Sequence, residues 1–198
     1  MNGFLGLSRR IDALNEWVAS KAIWLVLVVT LISAGNAVVR KVFNTSSNGW
    51  LEIQWYLFSA IFLLCAGYAL KRNAHVRIDV LMGRFGPRVG AWVDIVGTLF
   101  FLFPAAILVV YLSTGVFLDA WHSGERSANQ GGLIFWPARL LVPVGFSLLV
   151  LQGVSELIKR IGFLTGHVKA IVEESGPTEE EALAEEIRRS RGIKGDAQ

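Results

Sequence analysis

Cysteine is almost missing from this chain: Cys65 is the sole thiol in 198 residues. One thiol excludes an internal disulfide framework and a cysteine metal cage, and its place inside an apolar run makes it a small packing residue. Histidine is nearly as scarce. His75, His122 and His167 lie outside the apolar runs or at their edges, whereas a membrane haem needs histidines on facing helices within a bundle. Charge is thin at 18%, with a net +3. The basic residues flank apolar runs, which argues against nucleic acid as a partner. A Gly-rich phosphate loop, metal-ligand spacing, a deep Ser–His pair, internal repeats and low-complexity segments are all lacking. These lacks point away from catalysis and from any cofactor held by this chain.

What the chain has is hydrophobic residues, 53% of the total, at a mean hydropathy of +0.49. They are gathered into four blocks, 22–39, 50–70, 91–118 and 138–158. About 20 residues at ~1.5 Å each cross a ~30 Å hydrocarbon core, so each block predicts a membrane span. The third is too long to stand upright and must tilt or carry its first turn outside the core. Pro104 within it predicts a kink, because proline removes a backbone donor. The expected fold is all-α and integral to the membrane: an N-terminal segment 1–21, a four-helix domain 22–158 and a charged tail 159–198. The spans read as a rigid bundle.

Lys and Arg orient the bundle. All but Arg40, Lys41, Arg126 and Arg139 of the 19 basic residues belong to the two tails and the loop that begins at Lys71. The positive-inside rule then places both termini and that loop in the cytoplasm. Phe4, Leu7, Ile11, Leu14 and Val18 recur at steps of three and four, with Ser8, Arg9, Asp12, Asn15 and Glu16 between them. That pattern predicts an amphipathic helix lying in the cytoplasmic interface, with packing on a partner's surface as the alternative. It does not read as a cleaved signal peptide. Near the other end, Ser175-Gly176-Pro177 is a break, and Thr178 with Glu181 forms a capping box opening a solvated tail helix.

The ionisable residues of the spans sit at span ends: Glu52, Asp94, Arg139 and Glu156. A deep carboxylate, as a small four-helix exporter would need, is lacking. Charges near lipid need partners or must snorkel. Glu52 and Arg139 share the outer side and are expected to pair, within the chain or across an interface. Asp94 is expected to meet Arg72, Arg77 or Arg88. Trp50, Trp55, Tyr56, Trp121 and Trp136 form an outer aromatic belt, and Pro137 starts the last helix. Gly67, Gly97, Gly115 and Gly145 are candidates for close helix contacts, though lipid tolerates small residues equally.

Between the second and third spans, His75, Arg77 and Asp79 alternate with Val76, Ile78 and Val80, a two-residue period that argues for a segment with one buried face. The stretch Lys71-Arg72-Asn73-Ala74-His75-Val76-Arg77-Ile78-Asp79-Val80-Leu81 resembles the central signature of the DctQ-like small membrane subunits of TRAP (tripartite ATP-independent periplasmic) transporters. Gly132-Leu133-Ile134-Phe135-Trp136-Pro137-Ala138-Arg139, then Pro143-Val144-Gly145-Phe146 and Leu151-Gln152-Gly153, resemble the second signature. Trp50, Glu52 and Trp55 fit the start of the second helix. The resemblance covers roughly residues 10 to 165.

The resemblance implies a non-catalytic scaffold in a multi-pass inner-membrane complex. Its partners would be a large membrane subunit, which carries the substrate and sodium sites and moves as an elevator, and a periplasmic substrate-binding protein. The sodium gradient would be used by the large subunit. Family substrates are mostly organic anions such as carboxylates, and the loop 125–132 is similar to the branch that includes 2-oxo acid systems. Glu52, Trp55, His75, Arg77, Asp79, Asp94, Trp136, Pro137 and Arg139 are the candidate interface and structural residues. Two other readings stand beside this one: an autonomous small transporter acting as a homodimer, and a membrane anchor of a redox enzyme.

Overall fold

A computed structural model describes residues 2–44, 47–72, 86–129 and 131–166. The loop carrying His75, Arg77 and Asp79 and the tail helix with its capping box lie outside the described residues. The elements are α1 (Asn2–Phe43), α2 (Asn48–Lys71), α3 (Gly86–Gly97), a π-turn (Thr98–Leu102), α4 (Phe103–Ser123) and α5 (Trp136–Leu164). No strand occurs among the described residues; a single antiparallel bridge joins Arg126 to Ile134. Four helical stretches are long and apolar enough to cross a membrane: Gly3–Phe43, Asn48–Lys71, Pro87–Ser123 and Trp136–Leu164.

The long third span is one helix interrupted at a definable place. Pro104 lies in the first turn of α4, where an α-helical carbonyl four residues earlier would meet its ring. The chain widens there by one residue. The Phe103 N–H donates to the Thr98 carbonyl, a five-residue step that inserts a π-turn immediately before the proline. Where a kink was expected at Pro104, the backbone makes a π-turn. α4 then ends at Gly124, which takes the left-handed conformation (φ 61°) that glycine adopts without a Cβ penalty.

α1 runs unbroken from Asn2 to Phe43, so the N-terminal segment and the first span are one helix. Ser8, Ile11, Asn15, Ala19, Ala22 and Val29 are buried, a single stripe at steps of three and four. Phe4, Leu7, Leu14 and Trp17 are exposed. The amphipathic pattern is present: Ser8 and Asn15 turn to protein together with Ile11, while Phe4, Leu7, Leu14 and Trp17 face out beside Arg9 and Glu16. The N-terminal segment is therefore continuous with the first span, not the separate helix that was expected.

α5 is the axis of the molecule. It packs against α1, α2, α3 and α4, while α1 and α2 also pack on each other. Among the described residues, α1 and α2 make no contact with α3 or α4. The helices thus form an open layer, α1 with α2 on one side of α5 and α3 with α4 on the other. The face-to-face residues are small. A Cβ on Gly145 would stand 2.7 Å from the Leu63 carbonyl oxygen, and one on Gly153 would stand 2.7 Å from the Phe103 ring. A Cβ on Gly67 would collide with the Asn15 carboxamide and approach the Leu148 carbonyl oxygen at 3.2 Å. Small residues let backbones come together where lipid gives apolar side chains no reason to leave it. Gly97 and Gly115 have open space around them, so only Gly67 and Gly145 of the four candidate glycines mark helix contacts.

Gly145→Ala should therefore destabilise the chain by about 1–3 kcal/mol, the usual range for overpacking. Gly115→Ala should be neutral. Thermal unfolding of both variants in one detergent checks this; equal melting would show that α2 and α5 are not in backbone contact.

Candidate functional site

Polar chemistry collects at the two ends of the layer. At the loop end, α2 presents Glu52 one turn into the helix, and its carboxylate accepts three hydrogen bonds from the loop 124–135. The Ser127 hydroxyl and the Asn129 amide (3.0 Å) donate to Oε1, and the Leu133 N–H donates to Oε2 (2.7 Å). The loop itself is a short hairpin: Ser127 N–H to Leu133 O at 2.9 Å and Phe135 N–H to Glu125 O at 3.0 Å. The Tyr56 hydroxyl donates to the Ile134 carbonyl at 3.1 Å. Gly132 is required where it stands, since a Cβ would run into Ser127. Gly131 has φ 76°, which glycine alone takes readily.

Arg139, in the first turn of α5, holds the base of the same loop. Its guanidinium makes two parallel bonds to Glu125, at 2.6 and 2.9 Å, and lies 5.4 Å from the Phe135 ring centroid. The expected Glu52–Arg139 pair does not form within the chain. Both residues serve the loop instead, Glu52 through neutral donors and Arg139 through Glu125. Charge complementarity at the span ends suggested a direct pair; the loop between them supplies each with closer partners. Trp136 stands edge-on to Trp121, centroids 4.6 Å apart, and ties α5 to α4. Pro137 occupies the first turn of α5. Trp55 is 75% exposed on α2.

At the other end, α1 meets α5 through a ladder of buried polar side chains. The Ser8 and Ser155 hydroxyls are 2.7 Å apart, and Asn15 donates to Gln152 Oε1 at 2.9 Å. Gln152 donates to Asp12 at 2.8 Å and to Glu156 at 3.2 Å, and Ser155 donates to Asp12 at 2.7 Å. Lys159 closes the ladder with ion pairs to Asp12 (2.7 Å) and Glu156 (2.9 Å). Asn15, Gln152 and Ser155 are fully buried. Asn15 Oδ1 has no hydrogen-bond partner among the described residues.

Two further ion pairs secure this end. Lys71, which is 7% exposed at its side chain, reaches Glu16 at 3.3 Å and joins α2 to α1. Arg160, 6% exposed, reaches Asp94 at 3.3 Å and joins α5 to α3. Arg160 is a partner for Asp94 that the sequence reading had not considered. Between the ends, polar side chains are spent locally. Thr30, Thr114 and Ser147 hydrogen-bond carbonyls of their own helices, and Ser33 donates to Gln54 across α1 and α2 at 2.7 Å.

Glu52, Asp94, Trp136 and Arg139, singled out from the sequence, make the contacts just described; the ladder was not anticipated. The signal was available. Ser8, Asp12 and Asn15 on one helix, and Gln152, Ser155 and Lys159 on another, are polar stripes at helical spacing. Two such stripes flanking spans suit each other better than either suits lipid. Among the described residues no cluster of three or more His, Cys, Asp or Glu is placed to hold a metal.

Four span-length apolar helices, with polar groups that bind helix to helix and helix to loop, define a multi-pass helical membrane protein. The family model of the tripartite ATP-independent periplasmic transporters, DctQ component, matches residues 16–162. The chain belongs to that family, the small membrane component of TRAP transporters. No curated protein and no solved structure matches the chain. The matched region holds Glu52, the loop, and the α5 half of the ladder. Ser8, Asp12 and Asn15 lie before it.

Two outcomes are expected. With Cys65→Ala as background, Ser8→Cys with Ser155→Cys should cross-link under mild oxidation in the membrane, because the native hydroxyls touch. A helix lying flat in the interface would leave both thiols free. Glu52→Gln should speed hydrogen exchange at the Ser127 and Leu133 amides, since an amide cannot accept from all three donors. Unchanged exchange there would mean that the hairpin holds itself.

Proposed function

We propose that this chain is the small scaffold subunit of a sodium-driven, binding-protein-dependent uptake system for organic anions such as carboxylates. It sits in the inner membrane with both termini in the cytoplasm and supports a large permease subunit. The substrate and the sodium ions belong to that larger subunit, and this chain takes part without a cofactor of its own.

One observation carries the reading. The described ion pairs sit at the two ends of the layer, and between them Thr30, Ser33, Thr114 and Ser147 spend their hydroxyls on bonds within the chain. Meanwhile, among the described residues, α3 and α4 are covered only by α5; the π-turn between them turns Phe100 and Phe101 outward, and α4 turns Ile107, Leu108, Tyr111 and Leu112 outward. A carrier acting alone needs polar groups converging near mid-membrane. A scaffold needs breadth and apolar faces for lipid and a larger partner, and the open layer with its exposed apolar side chains supports that reading. The hairpin 124–135, held by Glu52 and Arg139 on the outer side, is the surface offered to a periplasmic binding protein.

Gentle detergent extraction of the tagged chain should bring down a stoichiometric polytopic partner. Uptake into proteoliposomes should then require both membrane chains, the binding protein and an inward sodium gradient. Recovery of this chain alone, together with transport by it alone, would replace the scaffold with an autonomous carrier.

A further inference from the structure

Near the loop end of the layer, α1 and α2 diverge around a groove of about 380 Å³ lined by Leu31, Ile32, Gly35, Asn36, Val39 and Trp50. Its volume lies in the range of small-molecule sites. From Leu31 to Val39 it follows about 12 Å of helix, against about 15 Å for the hydrocarbon of one leaflet. The walls are apolar apart from Asn36. That carboxamide is half-buried and makes no side-chain hydrogen bond among the described residues. Arg40, one turn beyond it on the same side of α1, and Lys41 are both exposed, in the last turn of the helix. Trp50 stands at the mouth from α2, 53% exposed. Of the four basic residues on this side, Arg40, Lys41, Arg126 and Arg139, two are gathered here.

The geometry points to a binding site for one anionic phospholipid. An acyl chain fills the groove, Asn36 donates to the glycerol-ester region, and Arg40 with Lys41 takes the headgroup phosphate. The order of groups along α1 — apolar, hydrogen-bonding, cationic — follows the order of chemistry along a phospholipid, and clustered basic residues at a membrane surface favour anionic headgroups. A neighbouring helix would satisfy the apolar stretch but would leave the pair of cations without a counter-charge. This site is independent of the transport reading.

Native mass spectrometry of the full chain released from nanodiscs tests it, with phosphatidylglycerol and phosphatidylcholine of equal acyl length as probes. The wild-type chain should retain one phosphatidylglycerol. Gly35→Leu should lose it, and this variant should fold, because a Cβ on Gly35 meets no atom within 4 Å. Arg40→Gln with Lys41→Gln should keep the site but cut its preference for phosphatidylglycerol by about thirtyfold. Equal retention of the two lipids by the wild type, or unchanged retention by Gly35→Leu, would overturn the assignment. Loss of a co-purifying membrane protein in Gly35→Leu with lipid retention intact would also overturn it, giving the groove to that protein.

Discussion

The layer depends on the face of α5 that carries Gly145, Leu148, Gln152 and Ser155. These residues follow one another at steps of three and four and all are buried. The face works through two forces that survive in lipid. Gly145 admits the backbone of α2 to contact distance, and Gln152 with Ser155 gives α1 hydrogen-bond partners that hydrocarbon cannot supply. The apolar drive that assembles a soluble core contributes little here, because lipid receives Leu and Phe as well as a protein interior does. This explains why the buried hydrophobic residues are mostly alanines while Phe62 and Tyr111 are among the most exposed side chains.

Fixing the helices at their ends follows from the same constraint. Ion pairs are costly at mid-membrane and affordable where water or headgroups are near. Glu16–Lys71 and Asp94–Arg160 therefore bind α2 to α1 and α3 to α5 at one end. Glu125–Arg139 and the Glu52 contacts do comparable work at the other. The intervening turns are left to close packing and to single contacts such as Ser33–Gln54. A frame of this kind is stiff at both surfaces.

The spans, their order and their apolar character were legible in the sequence because length and composition alone decide whether a helix can cross a bilayer. The break before Pro104 was legible because proline imposes it locally. Contact partners were harder. Glu52 and Arg139 share a side of the membrane, but which of several polar groups each one meets depends on how residues 124–135 fold back, a matter of turn geometry. Gly97 and Gly145 are alike in a sequence; only the course of a second helix separates an open glycine from a contact. The partner of the polar residues on the N-terminal helix was not legible, for a physical reason. An amphipathic stripe is expected to turn its polar side to water, but beside a membrane that side is equally well satisfied by another polar stripe, here on α5. The fold class was therefore readable, and the candidate residues were half readable: the charges announced themselves, and their partners did not.

A helix of 42 residues is about 63 Å long, roughly twice the ~30 Å hydrocarbon thickness. A solitary helix that overshoots a bilayer answers by tilting, and its tilt follows membrane thickness. α1 lacks that freedom, because Ser8, Asp12 and Asn15 are bonded to α5 and Ser33 to α2. Its inclination is set by protein contacts at two well-separated heights. When the surrounding membrane thickens or thins, the adjustment falls on the lipids next to α1, which must stretch or compress to meet a helix that does not move.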